Sequence, residues 1–558
     1  MFEKLCKLNS RFENYQSKAP EWGAFLIYVI SHIVLCIYHE PWFDECVAWM
    51  IAKYTSVKDI IFYVPHFEGH PPLWHLILKL FAFFCVDFHI TLSILVILFS
   101  SVAVYLILFY SPFRRIIKLI FPFTYFIFYQ YGVISRPYCM MMLAFCLLSI
   151  FYKRRNSKPE LYVMALLFLC LTSAYGILIA CGISIAWIIE IISEWKKRGI
   201  IVEIVNDRRC WWLFSLLLLA LFIVYLIFPS RGSFAAESQI VHRRDGVINN
   251  LIYCFFANIP DTFCYDVFGE NGSSLLIVSI LGLLIIGIIF IYGKTKGTVV
   301  LFFIPFILHE LFASMVYFYL HHSGIVQLFL GFWLWVSLES KTQRKLSEII
   351  QNDVIMTSIY RLMLQKQELL RFLSTFLIIY AMVVSIFFSI KSSLGDLFMP
   401  YSSGKSVAEF IKENNLEQYR IMGGFTKTDE GTYIRKTELY TMFPYFDNQI
   451  MSYQAFGMDG NYNIHVTLSE EETEKEYKKW RQIGEPDIIV GEIPFYDIFV
   501  DSDTDFKKDY KYVYSDISSM MWKDTSGQSA LGVYMRTDLA DELGFEAISK
   551  PVIVNINR

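Results

Sequence analysis

Residues 22–45 read WGAFLIYVISHIVLCIYHEPWFDE, and within this stretch the chain changes abruptly from apolar to acidic. The run from Trp22 to His39 contains no Asp, Glu, Lys or Arg, and it approaches the roughly 20 residues that a helix needs to cross a bilayer. Pro41 and Trp42 interrupt the run, and the acidic pair Asp44-Glu45 follows. The pattern predicts a membrane-spanning helix that leads into an acidic loop at the membrane surface.

Similar apolar runs recur through most of the chain. Of the 558 residues, 55% are hydrophobic and only 18% are charged, whereas soluble proteins carry about 25% charged residues. This composition excludes a soluble enzyme, a disordered chain, a disulfide-stapled secreted domain and a nucleic-acid binder. We therefore expect a polytopic α-helical membrane protein with no nucleic-acid partner, located in the cell membrane.

Short basic clusters between the apolar runs predict the topology. Lys and Arg residues before the first run place segment 1–21 in the cytoplasm, because cytoplasmic loops are enriched in these residues. If the later clusters lie on the same side, the chain crosses the membrane eleven times and its tail lies outside. The predicted crossings are 22–39, 88–110, 117–134, 137–152, 161–176, 177–194, 211–228, 274–292, 299–319, 324–338 and 372–390.

This topology gives the membrane domain, 22–391, two sizeable external loops, 40–72 and 229–273. The apolar stretch 71–84 would invert every later basic cluster if it crossed the membrane. We therefore expect it to be a short helix at the outer membrane face or a continuation of the next span.

The tail, 392–558, has a different composition. From Ser402 onward there are 17 Lys and Arg but 27 Asp and Glu, so this part is strongly acidic, whereas the rest of the chain is basic. Apolar residues at helical spacing predict a helix at 404–415, and a charged surface helix is predicted at 470–483. Short apolar runs at 419–422 and 487–490 predict strands. We expect an extracytoplasmic, soluble α/β domain.

The first external loop carries the clearest chemical signal. Asp44 and Glu45 lie beside tryptophans at a membrane surface, where partial dehydration raises the pKa of a carboxyl group and makes it a plausible proton acceptor. The alternative interpretation is that both residues cap an interfacial helix and face water.

Several short segments, taken in order, resemble the GT-C membrane glycosyltransferases, most closely the protein O-mannosyltransferase and aminoarabinose-transferase branch. The resemblance covers the membrane half as an ordered series, and it is weak over the tail. The matching segments are the Asp44-Glu45 pair, Pro71-Pro72-Leu73-Trp74, Ile134-Ser135-Arg136-Pro137-Tyr138 and Thr172-Ser173-Ala174-Tyr175-Gly176.

The resemblance implies an inverting transfer of one sugar from a polyprenyl-phosphate donor to an extracytoplasmic acceptor. An acceptor hydroxyl must lose its proton as the new bond forms, which requires a general base. Asp44 is the predicted base, and Glu45 is predicted beside it to orient the loop or the acceptor. For Glu45, a solvated helix residue is the alternative.

The leaving lipid phosphate requires fixed cations or hydrogen-bond donors. Arg136, with the neighbouring Tyr138, is the first prediction for this role, although an Arg at a helix end can also extend towards lipid headgroups. Arg243 and Arg244 are a second prediction, with a solvated charge run as the alternative. His321 and His322 are a third, with a purely interfacial position as the alternative.

Four further residues are predicted to position the substrate or a loop: Glu68, His70, Tyr175 and Glu310. Ionisable residues within membrane spans usually face a cavity or a partner, so Glu310 either contributes to the donor groove or pairs with another helix. His66, Glu68 and His70, with His75 nearby, also form a possible divalent-metal set. In the aminoarabinose-transferase branch a Glu just before Pro-Pro takes part in a metal site, and Glu68 lies close to that position. The predicted transfer reaction does not depend on a cofactor, and a divalent metal at this set is an additional possibility.

The leading hypothesis is therefore an integral-membrane glycosyltransferase whose partners are a polyprenyl-phosphate sugar, membrane lipid and an acceptor of unknown type. The alternative is a membrane transporter or lipid flippase that forms no glycosidic bond. The absence of internal repeats and the position of the acidic pair in a loop favour the transferase.

Overall fold

The structure is a computed structural model. It describes residues 16–198, 206–230, 233, 247–264, 272–342, 367–423, 425–427, 433–435, 437–448, 450–453, 470–491, 509–521 and 526–550.

Six helices are long and apolar enough to cross a membrane, among the residues that the structure describes. Each contains at least 20 residues in its apolar segment, which corresponds to about 30 Å of helix. Many of their large apolar side chains, such as Ile37, Leu284 and Ile288, are exposed and would face lipid. The six segments are Ala19–Tyr38, Phe88–Tyr110, Ala174–Lys196, Arg208–Ile227, Leu275–Lys296 and Phe376–Phe398.

The other predicted crossings are shorter or irregular, so the count of eleven stays a prediction. Four correspond to helices of 12 to 17 residues: Tyr138–Tyr152, Pro159–Cys170, Val299–Met315 and Ser323–Glu339. The fifth, predicted at 117–134, is divided into three pieces, the helix Arg115–Ile120, a 3₁₀ turn Phe121–Phe123 and a π-helical turn Phe126–Gln130. The first break lies at Pro122, because proline cannot continue the hydrogen-bond pattern of a helix interior.

The first predicted external loop is helical over most of its length. Phe43–Tyr54 begins at the N-cap residue Trp42, whose backbone N–H donates to the Glu45 carboxylate. Two short helices follow, Val57–Phe62 and Pro65–Glu68.

The apolar stretch 71–84 forms a separate 11-residue helix, Leu73–Phe83. Cys85 has a φ of 54°, in the left-handed region, and so separates this helix from Phe88–Tyr110. Of the two expectations for this stretch, a short independent helix is therefore the one that the structure shows.

Part of the second predicted external loop is also helical. Val247–Ile252, a π-helical turn at Tyr253–Ala257 and Asn258–Cys264 pack against the long helices Gly272–Lys296 and Val299–Met315. A 3₁₀ turn at Leu320–His322 precedes the Ser323–Glu339 helix.

The tail is built on a small mixed sheet. Its four strands lie in the order β1 (Ile421–Gly423), β4 (Ile488–Val490), β6 (Ser526–Arg536) and β5 (Tyr510–Met521). β1 and β4 are parallel, the other pairs are antiparallel, and β2 (Phe425–Lys427) pairs separately with β3 (Tyr433–Arg435).

The helices of the tail confirm the predictions at 404–415 and 470–483, as Gly404–Glu413 and Glu470–Ile483, and the predicted strands agree with β1 and β4 within two residues. The long β5–β6 hairpin was not predicted. The last long helix, Gln367–Phe398, runs past the predicted domain boundary at 391. Shorter elements complete the tail: the 3₁₀ segments Leu416–Gln418, Thr437–Thr441 and Phe443–Tyr445, and the short α-helix Thr537–Leu543.

The tail rests on the first predicted external loop. Ser402 Oγ donates to the carbonyl of Pro41 at 3.0 Å, Tyr54 donates to the carbonyl of Asp447 at 3.2 Å, and the Phe88 ring meets the Tyr445 ring edge-on. The tail and the helices of this loop therefore meet at one end of the long helices. We call this end of the molecule the site end.

Buried and half-buried ion pairs occupy the opposite end of the helices, which we call the basic end. Glu21, at the start of the first long helix, accepts from Arg115 Nε at 2.8 Å. Arg155 pairs with Glu190 at 2.6 Å, and Arg209 pairs with Asp207 and Glu194 at 2.6 and 2.8 Å. Several basic clusters predicted to be cytoplasmic therefore share one end.

Candidate functional site

The site end brings Asp44 and Arg136 together. Asp44 lies in the first turn of Phe43–Tyr54, and Arg136 lies just before the Tyr138–Tyr152 helix. Arg136 Nη2 is 3.4 Å from Asp44 Oδ2, and its Nη1 donates to the Asp44 backbone carbonyl at 3.1 Å. The Asp44 side chain is 25% exposed and that of Arg136 is 11% exposed, so a reactant can reach the carboxylate beside a largely buried cation.

Glu45 lies deeper in the protein than Asp44, although the two residues are adjacent in sequence. It is fully buried, and its Oε1 accepts the N–H of Ser135 at 2.6 Å. Its Oε2 meets Trp42 N–H and His39 Nε2, each at 3.1 Å. Because both oxygens are enclosed by these partners, Glu45 is not a solvated helix residue, and its contacts match the other expectation, a residue that orients the loop.

The sequence analysis did not single out two buried residues that contact Glu45 or its partners, His39 and Asp396. His39 Nδ1 lies 2.8 Å from Asp396 Oδ2, and Tyr129 donates to the same oxygen at 3.2 Å. Burial disfavours the charged imidazole, but Asp396 and Glu45 outweigh it and hold the pKa of His39 well above its usual value. An acidic residue near the end of an apolar helix is the signal that could have identified Asp396.

Glu68 and His70 complete the immediate surroundings of Arg136. His70 Nε2 accepts from Arg136 Nη2 at 3.4 Å. Burial raises the pKa of Glu68 to about 7, an effect that nearby Arg136 reduces and Asp44 reinforces. Burial and the positive charge of Arg136 lower the pKa of His70, which leaves its imidazole neutral.

His321 and His322, which are predicted to bind phosphate, lie close to Tyr138. The Tyr138 ring is 5.8 Å from the His321 ring and 6.0 Å from the His322 ring, between ring centroids. Burial, with Arg136 nearby, lowers the pKa of His321 to about 3 and lowers that of His322 well below its usual value. Both imidazoles are therefore neutral, and they can serve a phosphate as hydrogen-bond donors but not as cations.

Tyr175 and Glu310 extend away from this cluster. The Tyr175 hydroxyl donates to the carbonyl of Tyr317 and lies 3.3 Å from His322 Nδ1. Glu310 is fully buried and meets His309 Nδ1 at 3.1 Å and the Asn258 amide at 3.2 Å. The second of the two expectations for Glu310, an interhelical pair, is the one that this geometry matches. Arg243 and Arg244 lie outside the described residues.

A metal set is not assembled. Within the described part of the chain, no group of three or more His, Cys, Asp or Glu side chains is placed to hold a metal ion. His66 Nδ1 bonds instead to the carbonyl of Phe228 at 2.8 Å. The structure thus does not bring His66, Glu68 and His70 together as ligands.

Comparisons of the chain with protein-family profiles, curated proteins and solved structures find no match.

Chemically, the arrangement combines a proton acceptor with an anion-binding group. Asp44 offers a reachable carboxylate, and Arg136 offers a planar guanidinium that can donate two parallel hydrogen bonds to a phosphate. Neutral imidazoles and tyrosines surround this pair.

Proposed function

We propose that the protein is an integral-membrane inverting glycosyltransferase that moves one sugar from a polyprenyl-phosphate donor to an extracytoplasmic acceptor. The observation that carries the proposal is the pairing of a quarter-exposed Asp44 with a largely buried Arg136 at the end where the tail meets the membrane domain. Acid–base chemistry on a hydroxyl and stabilisation of a leaving phosphate require these two groups side by side.

In the proposed reaction the acceptor oxygen attacks the anomeric carbon of the donor sugar. The carbon–oxygen bond to the phosphate breaks, and its electron pair leaves with the polyprenyl phosphate. The acceptor proton passes to Asp44 as the new glycosidic bond forms, while Arg136 stabilises the charge that grows on the phosphate. Attack opposite the leaving group inverts the anomeric carbon.

The tail supports this proposal by its position. It contacts the helix that bears Asp44, since Cys46 Sγ donates to the carbonyl of Thr441 at 3.8 Å and Tyr54 reaches Asp447. An acceptor held by the tail would therefore be presented directly to the site. In the proposed orientation segment 1–21 is cytoplasmic, and the site and the tail are extracytoplasmic.

The test is a transfer assay on the purified full-length protein with a labelled polyprenyl-phosphate sugar and cell-envelope acceptors. We expect Asp44→Asn to lower the rate of glycosidic bond formation by about 10²–10⁴, because it removes the general base. Asp59→Asn is the matched control, since Asp59 lies exposed on a neighbouring short helix of the same loop.

Equal rates for Asp44→Asn and wild type would reject Asp44 as the base. Movement of labelled lipid across proteoliposomes without bond formation would instead favour the transporter or flippase hypothesis.

A further inference from the structure

A buried chain of polar contacts runs from the candidate site to the last long helix. Glu45, His39 and Asp396 are all less than 5% exposed. The imidazole meets Glu45 through Nε2 at 3.1 Å and Asp396 through Nδ1 at 2.8 Å. A histidine that faces a carboxylate with each ring nitrogen donates from both only when it is protonated.

One cation therefore serves two buried carboxylates. Neutral donors also reach the two carboxylates: the N–H groups of Ser135 and Trp42 bond to Glu45, and the Tyr129 hydroxyl bonds to Asp396 Oδ2. Asp396 Oδ1 is buried and has no hydrogen-bond partner among the described residues. Removing one partner of such a network leaves an uncompensated buried charge, which is far more costly than removing a matched pair.

The position of Glu45 links this network to the reacting groups. Glu45 follows Asp44 in the chain, and its Oε1 holds the N–H of Ser135, which precedes Arg136. The same carboxylate thus holds the chain next to both members of the Asp44–Arg136 pair. A shift of Glu45 would change the separation between Asp44 and Arg136.

The other end of the network leads to the tail. Asp396 lies near the end of the Gln367–Phe398 helix, which the tail follows. Just beyond that helix, the Tyr401 ring lies 4.9 Å from the His39 ring, and Ser402 bonds to Pro41. The contacts are continuous from the tail junction to Glu45.

We propose that His39 is a positioning residue of the reaction: clamped between Glu45 and Asp396, it fixes the separation of Asp44 and Arg136 and couples that separation to the helix that carries the tail. This inference rests on the proposed function, because it assigns a role within the transfer reaction.

The charge arrangement is tested first by thermal unfolding of the full-length protein in detergent. His39→Gln leaves two buried carboxylates without their cation, so it should lower the unfolding midpoint more than Asp396→Asn does. Adding Asp396→Asn to His39→Gln removes one of these charges, and the double variant should melt at a higher temperature than His39→Gln alone. A double variant that melts below both single variants would overturn the shared-cation arrangement.

The positioning role is tested by kinetics on the same variants. A misplacement of about 1 Å costs about 100-fold in rate, so we expect His39→Gln to lower kcat by about that factor with little change in the donor KM. The double variant should regain part of the lost kcat.

Glu21→Gln is the control, because it breaks a buried ion pair at the basic end, near the start of the helix that His39 caps. It should lower the unfolding midpoint but leave kcat unchanged. Equal losses of kcat in Glu21→Gln and His39→Gln would overturn the proposal. If the wild type transfers no sugar, the positioning role fails with the proposed function, whereas the unfolding data still report whether His39 is the shared cation.

Discussion

Arg136 at the site end and Arg209 at the basic end have equally buried side chains, 11% exposed in each, but very different partners. Arg209 makes hydrogen bonds of 2.6 to 3.0 Å to both oxygens of Asp207 and a further one of 2.8 Å to Glu194. Arg136 makes one backbone hydrogen bond at 3.1 Å and approaches Asp44 and His70 only to 3.4 Å.

In the proposed function, this difference distinguishes an arginine with a structural role from one that binds a ligand. Short bidentate contacts use the donors of a guanidinium fully, whereas long contacts leave donor capacity for an incoming anion. The two arginines are equally buried, so burial does not distinguish them. They differ in the distances from their guanidinium nitrogens to the acceptor atoms.

The largest expected effect comes from exchanging each arginine for a neutral amide. Arg136→Gln should lower the transfer rate by about 10²–10³, since it removes a donor from the developing phosphate charge. Arg209→Gln should leave kcat within about threefold of wild type and instead lower stability, because Asp207 and Glu194 lose their partner. Steady-state transfer kinetics and thermal unfolding of both variants measure this, and similar kcat losses in the two would end the distinction.

Substitutions at the basic end should change the free energy of unfolding. Glu21 is 1% exposed and pairs with Arg115, which is 8% exposed. Breaking a buried ion pair by removing one partner costs about 3 kcal/mol. We therefore expect Glu21→Gln to lower the free energy of unfolding in detergent by about this amount, and an unchanged value would show that the pair contributes nothing.

A variant that keeps the positive charge at position 136 but changes the geometry of its hydrogen-bond donors tests the comparison further. Arg136→Lys retains a cation but loses the planar fork that binds phosphate in two places. We expect an intermediate loss of about tenfold in kcat/KM, equivalent to about 1.4 kcal/mol of transition-state stabilisation. A rate equal to that of wild type would mean that a point charge is sufficient.

A further expected effect is a pH dependence of stability that arises at the site end. The pKa of Glu68 is raised from 4.5 to about 7, so between these values the folded protein holds a proton that the unfolded chain has lost. Stability therefore falls as the pH rises through this window and is constant above it. Glu68→Gln removes this dependence, and its stability relative to wild type should be greater at about pH 8 than at about pH 5. A relative stability that is the same at both pH values would contradict the raised pKa.

Much of the fold follows from local sequence pattern. The six long helices and the charged helix Glu470–Ile483 are identified by hydropathy and periodicity alone. The short helices and the π-helical turn at Phe126–Gln130 were harder to predict, because neighbouring helices bury them and an apolar run does not show where the helix breaks. The strands of the β5–β6 hairpin contain five Ser residues, one Asp and one Lys, and these polar residues obscure the alternation of a strand.

The site was predictable in its types of residue but only partly in its partners. Asp44 and Arg136 were predicted as base and phosphate-binding group, and the structure brings the two residues together across 92 positions of sequence. The contact between His39 and Asp396 spans 357 positions, and nothing in the local sequence of either residue indicates the other. Asp44 lies at the surface and Glu45 is buried beneath it. The sequence does not show this difference, because the two residues are adjacent and both acidic.

The most direct measurement is the binding of polyprenyl phosphate, the proposed leaving group, to the full-length protein in nanodiscs. We expect Arg136→Gln to weaken binding about tenfold or more, because a hydrogen-bonded charge contact contributes about 1.5–3 kcal/mol, and Arg209→Gln to bind as wild type does. Equal affinity in wild type and Arg136→Gln would contradict the assignment of Arg136 to the lipid phosphate.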